Sequence, residues 1–364
     1  MSRTLIIGSN QPYSGKSATV LGLAKLFRQH HFQIMYGKPI GSCTPGHCPT
    51  EGNDEDLTFM ITALGLPPDR LPPMVARMDP QTILNHLQQD APPDLLAPLR
   101  SYCQTYQGDV LLLEGPADLQ EGFLFHLSLA DLAQDLAAAV LLITRFPSPA
   151  VVDSLLAAQH ALGSRLTGVL FNDVAAEQEE MLRQRVIPFL EGRGMPVFGV
   201  LPSDRILRSI SVAELVNQLQ AQVLCCGDHA DEILIETFVI GAMSVNSALK
   251  YFRRSEHKAV ITGGDRTDIQ LAALETGSAC LILTGQHSLD PRIQQRAEEL
   301  EIPILLVEFD TFTTSERIER VFGQVRLQER VKVQCIETLM SANFDFSRFC
   351  QHLGLTPSLA SARA

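Results

Sequence analysis

Residue types that bind phosphate groups occur together near the start of the chain, in the sequence GSNQPYSGKSAT at residues 8–19. Gly15, Lys16 and Ser17 follow an apolar run and open a helix-like segment. Backbone N–H groups at the start of a helix attract anions, a lysine adds positive charge, and a serine hydroxyl binds Mg²⁺. The strict phosphate-loop pattern has a glycine where this chain has Asn10. A phosphate-binding loop is favoured, and a solvent-exposed lysine in an ordinary strand–helix loop is the alternative.

Charged residues end two further apolar runs. Lys38 closes the second run, in the sequence YGKPIG, and Glu114 closes the run DVLLLEG. Parallel sheets bind ligands at the carboxyl ends of their strands, so both side chains are expected near the glycine-containing loop. There Lys38 would meet a second anion, and Glu114 would hold Mg²⁺ opposite Ser17. The alternatives are a surface lysine and a solvent-exposed acid at a strand end.

The elements that must position these residues are apolar runs separated by helix-like segments. In the first 202 residues the runs are TLIIG, FQIMYGKP, DVLLLEG, AAVLLIT, TGVLFN and PVFGVLP. Runs that are apolar throughout are typical of a parallel sheet covered on both faces, so we predict an α/β fold. Helices are predicted over 17–29, 149–162 and 176–192. Ten prolines between residues 42 and 104 predict short helices and loops there.

A second series of apolar runs follows residue 202. Its members are AQVLCCG, KAVITGG, ACLILTG and PILLVEF, again separated by stretches of helix length. This restart predicts a domain boundary between about residues 203 and 215. We therefore expect a first domain at 1–205, a second and smaller α/β domain at 212–325, and a polar C-terminal tail at 326–364.

The composition limits the classes of partner. The formal net charge is −12 and the isoelectric point is about 5.3, so a nucleic-acid binder, which needs clustered Lys and Arg, is not expected. No apolar run reaches ~18 residues and no signal peptide is recognised, so we expect no membrane partner and a cytoplasmic location. The eight cysteines are expected to be thiols. Cys43, His47 and Cys48 are a weak zinc pattern, because a fourth ligand is not evident.

The motifs of the first domain, in order, resemble those of dethiobiotin synthetases. They are Gly-Lys-Ser after the first strand, KPI after the second, the acidic loop NDED at residues 53–56, then LLLEG and GVLFN. The variant that it resembles most is the similar domain at the N-terminus of long bacterial phosphate acetyltransferases, whose loop also reads like PYSGKS. The resemblance covers about residues 1–205 and implies a P-loop NTPase fold, with a parallel sheet flanked by helices.

This resemblance implies an ATP site. The residues implied in nucleotide binding are Ser14, Gly15, Lys16, Ser17, Asn172 and Pro202. The first four would bind the triphosphate, whereas Asn172 would reach the purine and Pro202 would lie beside it. An asparagine at a strand end is also a common turn former, which is the alternative for Asn172.

The resemblance also implies Mg²⁺ and a catalytic group. The implied metal ligands are Ser17, Asp56 and Glu114. Asp54 is an alternative to Asp56 because the alignment of that loop is loose, and a solvent-exposed acidic loop is a further alternative. The implied catalytic residues are Lys16, Lys38 and Glu114, with Lys38 matching the lysine that faces the γ-phosphate. In that family positioned cations and Mg²⁺ stabilise the charge that spreads over the transferred phosphoryl group.

The second domain resembles a DRTGG domain, over about residues 212–325. The motif here is ITGGDRTDIQ at residues 261–270, with LTG at 283–285 after the next strand. The residues expected to bind a ligand are Gly264, Asp265, Arg266 and Thr267, and Arg266 would contact an anionic group. The alternative is an ion pair between Asp265 and Arg266 that caps the helix. The family is associated with nucleotide-responsive regulation and with dimer contacts.

Three functions are compatible with these motifs. The first and favoured one is a regulatory nucleotide sensor, in which Mg-ATP in the first domain is coupled to ligand sensing in the second. The second is an ATP-dependent ligase that acts on a small carboxylate or amine. The third is an auxiliary subunit for a separate acyltransferase. A homodimer is expected, a further protein partner is allowed, weak ATPase activity is compatible, and acetyl transfer is not expected from this chain alone.

Overall fold

The fold was described from a computed structural model. The described residues are 2–41, 55–88, 93–226, 232–285, 289–323 and 329–356. The chain divides into two compact units, one formed by Met1–Ser203 with Lys332–Ala364 and the other by Asp204–Val331. Each unit has a sheet of its own. Within the described residues, no helix has both the length and the apolar character needed to cross a membrane.

The first unit is built on a six-stranded sheet. The strands of this unit are β1 (Arg3–Ser9), β2 (Ile34–Gly37), β3 (Ile40–Gly41), β4 (Ala76–Arg77), β5 (Val110–Glu114), β6 (Ala139–Arg145), β7 (Leu166–Val174) and β8 (Val197–Pro202). The sheet has the order β2-β5-β1-β6-β7-β8, and every neighbouring pair is parallel. Strands β3 and β4 form a separate short parallel pair. The predicted α/β fold with a parallel sheet is confirmed.

Helices connect these strands. They are α1 (Lys16–Gln29), α2 (Glu55–Leu64), α3 (Pro80–Leu87), α4 (Ala97–Thr105), α5 (Leu129–Asp135), α6 (Val151–Leu162), α7 (Ala176–Met181) and α8 (Ile187–Glu191). A π-helical turn over Leu182–Val186 joins α7 to α8. All five residues of β5 are buried, and five consecutive residues of β6 are buried. Burial on both faces explains why these strands are apolar throughout.

The second unit has a five-stranded sheet. Its strands are β9 (Ile210–Ser211), β10 (Gln222–Cys225), β11 (Leu234–Ile235), β12 (Thr237–Ile240), β13 (Lys258–Gly263), β14 (Cys280–Thr284) and β15 (Ile304–Val307). The sheet order is β10-β15-β14-β13-β12, parallel except for β10, which is antiparallel to β15. The helices are α9 (Arg205–Arg208), α10 (Val212–Leu219), α11 (Val245–Phe252), α12 (Thr267–Leu274), α13 (Pro291–Glu299) and α14 (Thr311–Gly323). Strands β9 and β11 pair separately.

Alternate residues of the second sheet belong to different cores. Val260, Leu281 and Leu283 pack with residues of α11, α12 and α13. Ile261, Ile282 and Leu305 pack with residues of α10 and α14. Because side chains of a strand alternate between its faces, the sheet is covered by helices on both sides. The second unit is therefore also an α/β layer structure.

The C-terminal segment differs from the polar tail expected over 326–364. It contains α15 (Arg330–Asn343) and α16 (Phe346–Leu353), and residues from Lys332 onward cluster with the first unit. The Phe346 and Phe27 rings lie 5.1 Å apart. A Cβ added to Gly22 of α1 would lie 2.5 Å from Met340, so α1 and α15 are in close contact. The helices form because apolar residues recur at helical spacing within a stretch that is polar on average.

Candidate functional site

A crevice in the first unit forms where the chain leaves the sheet in opposite directions. From the carboxyl end of β1 the chain passes to β2 on one side of β1. From the carboxyl end of β6 it passes to β7 on the other side. Ligands of open α/β sheets bind at such a reversal point. The loop at residues 10–15, between β1 and α1, lies at this edge.

Gly15 precedes the first residue of α1 and allows the loop to approach β7. Its φ of 95° lies in the left-handed region, which glycine adopts without a steric cost. A Cβ at this position would lie 2.1 Å from Asn172 Nδ2. Asn172 in turn donates from Nδ2 to the Ser14 carbonyl oxygen over 2.9 Å. The side chain near the end of β7 therefore holds the loop, and the residue between them must be small.

Lys16 is the first residue of α1 and is 9% exposed. Its Nζ donates to Ser9 Oγ and to the Ala117 carbonyl oxygen, each over 2.9 Å. Burial lowers the pKa of Lys16, Glu114 gives the largest opposing electrostatic effect, and Lys38 lowers the pKa further. A desolvated ammonium group next to a phosphate-loop backbone is suited to bind an anion that restores its lost hydration.

Ser17 and Glu114 are joined directly. Ser17 Oγ donates to Glu114 Oε1 over 2.8 Å, and the Tyr36 hydroxyl donates to Glu114 Oε2 over 2.9 Å. Glu114 is 6% exposed, so both carboxylate oxygens have their partners in a nearly dry environment. A hydroxyl and a carboxylate at this distance are oxygen ligands of the kind that Mg²⁺ prefers. Within the described residues, no group of three or more His, Cys, Asp or Glu side chains forms a metal cluster.

Two polar atoms of the loop lack hydrogen-bond partners. Ser14 Oγ and Asn10 Oδ1 are buried and form no hydrogen bond with any part of the chain that the structure describes. Ser14 is fully buried. Buried polar atoms are normally satisfied, and an orphan atom indicates a site where a ligand or water supplies the missing partner. The loop is thus incomplete as a hydrogen-bonded structure.

Lys38 lies in the same part of the first unit but has its own carboxylate. Its Nζ lies 3.6 Å from Asp56 Oδ2, with Lys38 7% exposed and Asp56 36% exposed. The structure thus brings Asp56 to Lys38, and the contacts of Ser17 are with Glu114. Asp54, the alternative to Asp56, lies outside the described residues. So do Cys43, His47 and Cys48.

The edge of β8 closes the same side of the crevice. Pro202 is the last residue of β8, and the following Ser203 N–H donates to the Val174 carbonyl oxygen over 2.8 Å. This contact places Pro202 beside the end of β7, where Asn172 lies. The role of Pro202 beside a base remains a prediction.

Sequence reasoning missed three residues of this network, which are Ser9, Tyr36 and Ala117. Ser9 donates to the Ala117 carbonyl oxygen over 2.8 Å, so that carbonyl accepts from Ser9 and from Lys16. The nearest signal in the sequence is Tyr36, because a tyrosine inside an apolar strand needs a partner for its hydroxyl. A main-chain acceptor such as Ala117 leaves no trace in residue type.

In the second unit, the turn after β13 is held mainly by its own residues. Arg266 pairs with Asp268 through two hydrogen bonds of 3.1 and 3.2 Å, and it donates to the Met243 carbonyl oxygen over 3.1 Å. These contacts with Asp268 raise the pKa of Arg266. The pairing partner of Arg266 is therefore Asp268 and not the Asp265 of the alternative, which is exposed, and no side-chain hydrogen bond from Arg266 caps α12 in the described residues.

The carboxyl ends of neighbouring strands meet at this turn. Gly264 N–H donates to the Thr284 carbonyl oxygen over 3.0 Å, and buried Gln270 donates to the carbonyl oxygens of Gly263 and Gly264 over 3.0 and 3.1 Å. The turn is thus held by β14 through Thr284 and by α12 through Gln270. Thr267 begins α12 directly after it, so the helix N-terminus faces the same edge.

Comparison with known proteins gives two domain matches. The AAA domain family matches residues 3–211, and the DRTGG domain matches residues 214–321. The suspected combination of a dethiobiotin-synthetase-like P-loop domain with a DRTGG domain is confirmed.

Nearly the whole chain is homologous to phosphate acetyltransferases. It is 27% identical to the protein of Synechocystis sp., over 99% of this chain and 54% of that protein. It is 25% identical to the protein of Nitratidesulfovibrio vulgaris, over 97% of this chain and 52% of that protein. The chain thus spans about half the length of these relatives.

Among solved structures, the CBS and DRTGG domains of Clostridium perfringens pyrophosphatase, in complex with the activator diadenosine tetraphosphate, show 20% identity. That match has a TM-score of 0.29 and covers 46% of this chain and 85% of that one. MinD from Pyrococcus horikoshii, in complex with Mg-ADP, shows 15% identity and a TM-score of 0.33, over 57% of this chain and 84% of that one. These TM-scores are too low to carry a structural argument.

Proposed function

We propose, from the premise that this chain belongs to the AAA domain family through residues 3–211, that it is a regulatory nucleotide-binding protein. Its first unit binds Mg-ATP, and its second unit responds to a ligand of its own. A P-loop domain joined to a DRTGG domain fits such a role. The observation that carries the proposal is the group of buried Lys16, half-buried Ser17 and buried Glu114 at the carboxyl edge of the first sheet.

The residues present fit ATP and Mg²⁺. The orphaned Ser14 hydroxyl and the first N–H groups of α1 are donors for phosphate oxygens. Lys16 supplies the positive charge, after leaving the acceptors at Ser9 and Ala117. When bound, Mg²⁺ would neutralise phosphate charge, and Ser17 with Glu114 would hold it. Asn172, which holds the loop through the Ser14 carbonyl oxygen, is the residue proposed to reach the purine, as the family resemblance implies.

Lys38 and Asp56 have a supporting role in this proposal. Their ion pair has one buried member, so the positive charge of Lys38 is partly offset. Lys38 would face the γ-phosphate if Asp56 moved to the metal, which is the arrangement that the family resemblance implies. The pair therefore gives the site a contact that exchanges when nucleotide binds. Hydrolysis is not required for a sensor.

The second unit is proposed to bind an anionic ligand at Gly264, Asp265, Arg266 and Thr267. The turn leads directly into the N-terminus of α12, which begins at Thr267, and a helix N-terminus is suited to an anion. Arg266 would turn from Asp268 toward the ligand, which exchanges one charged contact for another. Replacement by Arg266→Gln should weaken that binding. We also propose a cytoplasmic homodimer, and a sedimentation coefficient of a monomer at micromolar concentration, with and without nucleotide, would contradict the dimer.

The test is calorimetric titration with Mg-ATP. Loss of a charged phosphate contact in Lys16→Ala should weaken binding by about 2–3 kcal/mol. The matched control is Lys25→Ala, which removes a lysine from the same helix and breaks the 3.0 Å ion pair with Glu337. It should bind like the wild type. Equal binding by the wild type and Lys16→Ala would refute the site, and phosphate release that rises with added small carboxylates would favour the ligase instead.

A second candidate is an auxiliary subunit that regulates a phosphate acetyltransferase. The observation that favours it is the homology of nearly the whole chain to about half of such enzymes. Purified phosphate acetyltransferase from the same organism would be assayed with and without this protein. A change in acetyl transfer that depends on Mg-ATP and is lost with Lys16→Ala would support this candidate. If acetyl transfer does not change and the two proteins do not co-sediment, this candidate is wrong and a sensor without this partner is favoured.

A further inference from the structure

A polar cleft opens at the amino edge of the first sheet, opposite to the edge that carries the phosphate loop. It has a volume of about 630 Å³, within the range of small-molecule sites. Its walls come from the amino ends of β1, β6 and β7, from the carboxyl ends of α4, α5 and α16, and from the turn that follows α6. Its charged and titratable lining is Arg3, Arg100, Asp135, Arg165 and His352. We call it the amino-edge cleft.

The charge of this lining is unusual for the chain. The protein has a formal net charge of −12, yet three arginines and one aspartate line the amino-edge cleft. Arg100 is held by Asp135, over 3.0 and 2.7 Å, and by Asp94 over 3.1 Å. Its planar guanidinium group is thus fixed in orientation. A fixed arginine presents its remaining surface to a ligand at little entropic cost.

The other two arginines lack such partners. Across the ranges that the structure describes, the side chains of Arg3 and Arg165 form no ion pair and no hydrogen bond. Arg3 Nη2 lies 3.1 Å from the position that a Cβ of Gly354 would take, so its head group lies over the end of α16. Two guanidinium groups with free donors therefore face one cleft. Guanidinium groups match carboxylate and phosphate oxygens in pairs of parallel hydrogen bonds.

We propose that the amino-edge cleft binds a small organic anion with two or more carboxylate or phosphate groups. Arg3 and Arg165 bind the acidic groups, and Arg100, whose charge is offset by Asp94 and Asp135, adds its remaining N–H donors. Hydroxyl groups of Ser164 and Thr167 in the same lining donate to the remaining oxygens. The site is separate from the nucleotide site because it lies at the opposite ends of the same strands. Gln351 and Gly354, at the end of α16, complete its wall.

Another role for the arginines is to offset the partial negative charge of helix carboxyl ends, of which three, those of α4, α5 and α16, reach this cleft. The two roles differ in whether a free anion binds. Calorimetric titration distinguishes them when the nucleotide site is disabled, so the protein used is Lys16→Ala without Mg²⁺. The probes are citrate, which carries carboxylates, and pyrophosphate, which carries phosphates, at constant ionic strength. The probe that binds identifies the acidic group.

The expected result is a Kd of about 1 mM or below for at least one probe. Arg165→Gln and Arg3→Gln, each made in the Lys16→Ala protein, should each raise the Kd for that probe about tenfold. The control Arg183→Gln removes one positive charge from an exposed ion pair with Glu179 and should leave the Kd for the probe unchanged. Arg3 is exposed, so its variant keeps the test valid if Arg165→Gln fails to fold. Absence of binding by both probes, or binding unchanged in Arg3→Gln, overturns the proposal.

Discussion

The hydrogen bond between Tyr36 and Glu114 is predicted to stabilise the first unit. Tyr36→Phe removes one oxygen atom and keeps the ring, which is fully buried. Glu114 Oε2 then loses a donor at 2.9 Å, while Oε1 keeps the bond from Ser17. Because Glu114 is 6% exposed, water cannot freely replace the lost donor.

A hydrogen bond to a charged group contributes about 1.5–3 kcal/mol, so the unfolding free energy of the first unit should fall by that amount. The control is Tyr106→Phe. The Tyr106 hydroxyl lies 3.4 Å from the carbonyl oxygens of Gln33 and Val110, which is too long for a strong hydrogen bond. This control should change stability by less than about 0.5 kcal/mol.

Hydrogen exchange followed by mass spectrometry is the suitable assay, because it reports each unit separately. Two units need not unfold in one step, so a single melting curve would mix them. Peptides from β2 and β5 should exchange faster in Tyr36→Phe, by about tenfold or more. Peptides from β13 and β14 are the internal reference and should not change. Equal exchange in Tyr36→Phe and Tyr106→Phe would refute the reasoning.

Three further predictions concern other parts of the two units. Burial lowers the pKa of Lys16 below the usual 10.5. As the pH rises through that lowered pKa, the charged fraction of Lys16 falls, and the affinity for Mg-ATP should fall as well. Calorimetry in buffers of different ionisation enthalpy should then show proton uptake on binding, and a pH-independent affinity would contradict this. Gly15→Ala should lower the unfolding free energy of the first unit by about 1–2 kcal/mol because of the left-handed φ at this position. A further loss is expected because the added Cβ would displace Asn172 from its contact with the loop. The double variant Gly15→Ala/Asn172→Ala should lose less stability than the sum of the two single variants, as measured by hydrogen exchange in α1 peptides. Lys258→Met should destabilise the second unit by at least about 2 kcal/mol, because the buried Nζ donates to the carbonyl oxygens of Ser255 and Thr276. Unchanged hydrogen exchange in β13 peptides would refute this prediction.

Much of the first unit was predictable because burial on both faces leaves a simple pattern. The run that became Val110–Glu114 is apolar until its last residue, and the helix predicted over 17–29 is observed as Lys16–Gln29. Likewise the predicted 176–192 helix corresponds to three consecutive helical segments from Ala176 to Glu191. Lys16, at the start of the helix that follows β1, and Glu114, at the end of β5, converge because parallel strands end at one edge.

The remaining features depend on contacts between distant residues. The Tyr36 hydroxyl meets a carboxylate 78 positions away, and Lys16 meets a main-chain carbonyl 101 positions away, so neither partner is visible in local sequence. The alternative considered for Arg266 was a pair with Asp265, but its guanidinium group pairs with Asp268, two positions later, over 3.1 Å.

The C-terminal helices show a signal that average polarity concealed. Phe346, Phe349, Cys350 and Leu353 follow helical spacing and are all buried. A prediction based on the mean polarity of residues 326–364 overlooked this stripe. Periodicity is the stronger indicator, because a helix needs only one apolar face to pack.

The most direct test of the account is hydrogen exchange of the wild type and Lys16→Ala, each with and without Mg-ATP. The account predicts that Mg-ATP protects peptides covering residues 8–19 and 166–174 in the wild type only. A change in peptides covering residues 261–270 would show that the second unit responds. Absence of protection at 8–19, or equal protection in Lys16→Ala, would contradict the claim that this loop binds the nucleotide.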